Sequence, residues 1–91
     1  MIDIDALDPK IKPIVVLLNE NGIETYESCQ GGIGHAFPMP TVRFHGERSE
    51  GFRVLAIAQA NGLHLAEMRR FWSINDGEPV GPSWEITFLV D

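Results

Sequence analysis

The sequence predicts an α+β domain of two layers, with two helices on one face of a four-stranded antiparallel sheet in the order αββαββ. Three observations predict it. Leu17-Leu18-Asn19-Glu20-Asn21-Gly22-Ile23 is echoed by Ile57-Ala58-Gln59-Ala60-Asn61-Gly62-Leu63, so the chain reads as two internal repeats, about 9–46 and 49–91. An apolar pattern of helical period precedes each Asn-Gly. Two strand-like runs follow each, the second opening on a proline, Pro40 or Pro82. Strands this close in sequence join as hairpins and so run antiparallel.

The first helix is predicted to begin at Asp8-Pro9, because Asp caps free N–H groups and proline suits the first helical position. Pro13 then sits late and costs one backbone bond. Ile11, Ile14, Val15 and Leu18 share a face, and Gly22 stops the helix. Residues 23–29 and the run from Pro40 form the first strand pair. Val42 and Phe44 are predicted inward, with Thr41, Arg43 and His45 on the other side. The second helix is predicted to start at Ser49 as cap and Glu50, with Phe52, Leu55, Ala56 and Gln59 as its apolar stripe and Gly62 as its end. Residues 63–72 and 82–90 form the second pair, with Trp84, Ile86, Phe88 and Val90 inward and a turn at Asn75-Asp76-Gly77. Tyr26, Ala66 and Met68 are placed inward, and Thr25, Glu27 and Cys29 outward. Trp72 falls at a strand end beside a long turn, open to a binding role.

With 91 residues the chain is one domain, 1–91. Its 44% apolar content is that of a globular protein. No apolar run approaches the roughly 20 residues of a membrane helix, which excludes a helical membrane protein. The acidic start Met1-Ile2-Asp3-Ile4-Asp5 lacks a signal pattern, and a single cysteine cannot form an internal disulfide. Both point to the cytoplasm. A net charge of −6 and the lack of a basic stripe argue against nucleic acid as partner.

The two halves differ between their strands. Only the first carries Ser28-Cys29-Gln30-Gly31-Gly32-Ile33-Gly34-His35-Ala36-Phe37-Pro38-Met39-Pro40. Its glycines allow close backbone approach to a ligand, and exposed N–H groups in such a loop form anion-binding nests. Neither a phosphate-loop nor a dinucleotide fingerprint is present, so the glycines equally suit a long hairpin loop. Cys29 and His35 are the candidate catalytic residues, as thiol nucleophile and base; the plain alternative is a half-buried strand cysteine. A metal would draw on Cys29, His35, His45 and Glu27, but the paired spacings of a structural site are missing, and no metal or cofactor is assigned. Arg43 either pairs with Glu27 across strands or clamps a carboxylate or phosphate bidentately.

The run Tyr26-Glu27-Ser28-Cys29-Gln30-Gly31-Gly32, then His35, then Pro40-Thr41-Val42-Arg43-Phe44, resembles a pattern in small uncharacterised bacterial and bacteriophage proteins. Ser28, Cys29 and Gly31 are also similar to the Ser-Cys-Ser-Gly-Arg segment of the tRNA wybutosine-synthesising protein 3 family, S-adenosylmethionine-dependent RNA methyltransferases. Gln30 stands where that segment has Ser, and Gly32 where it has Arg. This resemblance implies RNA modification.

The sequence is therefore read as a binding module. A small anionic ligand or a protein partner meets Ser28, Gln30, Gly31, Gly32, His35, Arg43 and His45, in the loop 28–40 and the adjacent strand. The alternative is an enzyme using Cys29, His35 and Arg43. Exposed strand edges further suggest a homodimer.

Overall fold

The computed structural model describes residues 10–34 and 37–89. The expected start at Asp8-Pro9, the inward Val90 and the candidate base His35 lie outside them.

Six elements follow in order: α1 (Lys12–Glu20), β1 (Thr25–Cys29), β2 (Thr41–Phe44), α2 (Arg48–Ala60), β3 (Leu65–Asn75) and β4 (Glu78–Phe88). The strands form one sheet, ordered β1-β2-β4-β3 and antiparallel throughout. The α+β class read from the sequence is the class of the structure. The described helices are too short to cross a membrane.

Pro13 lies in the first two positions of α1, where its missing N–H costs nothing, so it marks the start of the helix and not an interruption. Ile11, Val15 and Leu18 are fully buried, as their spacing predicts. The echoed Asn-Gly has a local cause. The Gly22 and Ile23 N–H groups donate to the Asn19 and Leu18 carbonyls, and those of Gly62 and Leu63 to Gln59 and Ala58. Each asparagine also turns its side-chain amide back onto a carbonyl four residues earlier, Leu17 or Ile57. Both helices thus end in a Schellman motif that satisfies their last carbonyls.

The predicted stripe of α2 is corrected. Glu47, not Ser49, is the N-cap, and Gly51, Val54 and Ala58 face the sheet while Phe52, Ala56 and Gln59 are exposed. The reason is Trp84. A β-carbon added at Gly51 would stand 2.5 Å from the indole ring, so the glycine gives the ring its space. The indole N–H then donates to the Glu47 carbonyl at 2.9 Å.

Two bulges correct the predicted faces. In β1, Thr25 pairs with Phe44 and Glu27 with Arg43, which leaves Tyr26 as the extra residue. Thr25 therefore turns to the helix side, where it is buried and donates to Asn19, while Tyr26 is exposed. In β3, Leu65 pairs with Phe88 and Glu67 with Thr87, so Ala66 is extra and exposed, and Leu65 joins Met68 against the core. Val42, Phe44, Trp84, Ile86 and Phe88 are buried as predicted.

The second hairpin is longer than the sequence suggests. β3 and β4 are 11 residues each, joined by Asp76-Gly77 with φ of 51° and 80°, the tight primed turn that matches strand twist. Trp72 is thus mid-strand, and residues 72–82 form an exposed two-stranded ribbon.

Candidate functional site

On the face away from the helices, four residues in register cross the whole sheet: Glu27, Arg43, Glu85 and Arg69, one from each strand in spatial order. Their charges alternate. Arg43 bonds Glu27 through Nη1 at 3.0 Å and Glu85 through Nε at 3.0 Å and Nη2 at 2.9 Å. Arg69 donates to the other side of Glu85, at 3.2 and 3.3 Å. Glu85 is only 6% exposed. Its burial pushes the carboxyl pKa up, but hydrogen bonds from Arg69 and Arg43 outweigh this, and the net direction is down. The Glu85 hydrogen bond raises that of Arg69.

The Arg43 guanidinium lies 4.5 Å from the Phe71 ring centroid and 4.9 Å from that of Phe37. Phe37 comes from the long β1–β2 loop, which folds back over the open face. The loop is fixed at its base: Gly32 N–H donates to the Pro38 carbonyl at 3.0 Å, and Gly31, at φ 81°, lies so close to the Met39 backbone that no β-carbon would fit. Glycine at 31 is required by that crossing. The segment Phe37-Pro38-Met39 thereby roofs a cleft of about 290 Å³, floored and walled by Thr41, Glu67, Arg69, Glu85 and Thr87.

The described residues predicted for one site fall in five places. Gln30, Gly31 and Gly32 line a separate groove of about 190 Å³ with Lys10 and Pro40, where Gln30 accepts from the Lys10 N–H. Arg43 belongs to the charged row. His45 stacks on Tyr26, with centroids 4.4 Å apart, beyond the end of β2. Ser28 pairs with Val42 on the helix side, and its buried hydroxyl makes no hydrogen bond. Cys29 does face outward but is 5% exposed, and its Sγ accepts from the Gly31 N–H at 3.4 Å. Among the described residues, no three of His, Cys, Asp and Glu are grouped to hold a metal ion.

Sequence reasoning missed Phe37, Glu67 and Arg69. Strand alternation did put Thr41 and Arg43 on this face, with His45, which the structure instead stacks on Tyr26. The Ala66 bulge hid the phase of β3, and the loop pointed to its glycines when its aromatic residue carries the contact. No family model matches the chain, and no curated protein or solved structure matches it either.

Proposed function

We propose that this protein is a non-enzymatic binding module that takes a small polar ligand in the cleft under Phe37-Pro38-Met39. The supporting observation is the roof itself: a loop tied at its base by the Gly32–Pro38 bond overhangs the stretch of sheet that carries Thr41, Glu67, Arg69, Glu85 and Thr87. A volume of about 290 Å³ lies at the small end for ligand pockets.

Arg43 does not recommend an anion. Its three nitrogens are taken up by Glu27 and Glu85 and its faces by Phe37 and Phe71. Glu85 is likewise held by Arg43 and Arg69, which leaves the exposed Glu67 as the carboxylate the cleft offers. A ligand with a cationic or hydrogen-bond-donating end suits that lining better than a phosphate or carboxylate. An enzyme acting through Cys29 would need an accessible thiol, and Cys29 is buried.

Amide chemical shifts followed during titration with small amines, amides and carboxylic acids at millimolar concentration test this reading. Shifts are expected at Thr41, Glu67 and Thr87, larger for amines than for acids. An absence of shifts there with every probe would overturn it. Rapid alkylation of Cys29 in the folded protein would favour the enzyme, with RNA modification as its most concrete form.

A further inference from the structure

The two edges of this sheet are unlike. β1 is 5 residues long and bulged at Tyr26, which blunts it against further pairing. β3 is 11 residues long, and among the described residues its only strand neighbour is β4. Its own bulge lies at Ala66, near its start. The second irregularity places two β4 residues, Gly81 and Pro82, opposite Trp72, so the extra residue is not on β3. From Glu67 to Asn75 the outer edge of β3 is therefore unbroken. Two large apolar side chains stand exposed on it, Trp72 at 57% and Ile74 at 66%, among charged and polar neighbours. A long, regular edge that carries exposed apolar side chains is a template for another strand.

We propose that two copies of this chain pair antiparallel through β3, centred on Phe71, to make one eight-stranded sheet. A two-fold axis normal to the sheet keeps each face continuous, so residue i meets residue j on the same face. Charge selects the centre. Pairing about Glu67, Arg69 or Arg70 would set that side chain against its own copy. Pairing about Met68 would run the contact through the Ala66 bulge. Pairing about Trp72 engages a shorter stretch. Pairing about Phe71 uses the whole run from Glu67 to Asn75 with no like charges opposed. It sets Met68 against Ile74 of the second copy, and Trp72 against the stem of its Arg70, whose guanidinium stays on Trp84 and the Gly46 carbonyl of its own chain. Arg69 meets Ser73, and Glu67 meets Asn75. The chain carries −6 overall, yet this edge holds two arginines and one glutamate, which softens repulsion between the copies where they touch. This inference rests on the edge alone and is independent of the cleft.

Sedimentation of the full chain over the micromolar range is the test. The wild type is expected to dimerise, and Ile74→Lys, a change at an exposed site, to raise the dissociation constant at least about tenfold. Register is read by mild oxidation with oxidised glutathione. In Phe71→Cys the two new thiols stand on opposed Cα atoms about 5 Å apart and are expected to link. In Asn75→Cys they stand about 26 Å apart at the strand rise and are expected not to link. A wild type that stays monomeric at hundreds of micromolar, or a dimer indifferent to Ile74→Lys, would overturn the interface. Linkage of Asn75→Cys as readily as Phe71→Cys would overturn the register.

Discussion

Glu85 accepts from two arginines while nearly out of reach of water, so its state of charge matters to folding. Its folded pKa lies below that of the unfolded chain. The stability it contributes is thus whole above the ordinary glutamate range, about pH 4.3, and is lost as pH falls through the lower folded value. Glu85→Gln keeps the shape but removes the charge. It is expected to cost about 1–3 kcal/mol at neutral pH, a buried charge-assisted network being broken on one side. Urea melts at pH 7, 5 and 3 check this: the gap between wild type and variant should narrow as pH falls below the ordinary glutamate range. A gap unchanged across that range would show that the carboxylate charge is immaterial. The Arg43–Glu27 pair was one of two roles the sequence offered Arg43, and it survives because the bulge at Tyr26 falls before Glu27 and leaves that residue outward. The second arginine on Glu85 was not legible in the sequence, because a one-residue bulge at Ala66 decides which face of β3 Arg69 takes.

Helix α2 shows how packing overrides pattern. Its apolar residues fit a stripe through Phe52 and Leu55, and propensity treats Gly51 as a flaw. The structure turns the helix so that the missing side chain meets the largest ring in the core. Gly51→Ala should therefore destabilise the fold by about 1–3 kcal/mol through overpacking, although alanine favours an isolated helix by about 1 kcal/mol. Denaturant melts of the two proteins give the sign directly. A stabilised variant would mean that α2 can lift from Trp84 at no cost. The stripe of helix α1 needed no such correction, and Asn21-Gly22 ends it through the backbone; only Pro13 changes its meaning, from a late cost to the start of the helix.

Across the whole molecule, class and layer order could be read from the spacing of turns and alternations, which depend on local chemistry. The roof over the cleft could not, because it depends on where a long loop lands after the sheet has formed. The connections differ in closure cost. β3 and β4 meet across two residues, while β2 reaches β4 only across α2 and the whole second hairpin. The β3–β4 hairpin is thus expected to form first and to offer its inner edge to β2. Gly77→Ala strains a residue at φ 80° in that turn and should cost about 1 kcal/mol. In stopped-flow chevrons the loss should appear as slower refolding with little change in the unfolding limb. A change confined to the unfolding limb would place the turn late in folding.

The row of alternating charges has one more consequence, for the wrong structures and not the right one. A sheet strand can slip by two residues without turning its apolar side chains away from the core, so hydrophobicity alone does not forbid that error. Here the slip is penalised. Moving β3 two places along β4 either sets Glu67 against Glu85 or leaves that buried carboxylate facing the Phe71 ring, with its second arginine carried away. Moving β2 along β4 takes Arg43 off the same carboxylate and leaves it opposite Ser83 or Thr87. Glu85 works as a key that only one alignment of its two neighbouring strands will turn.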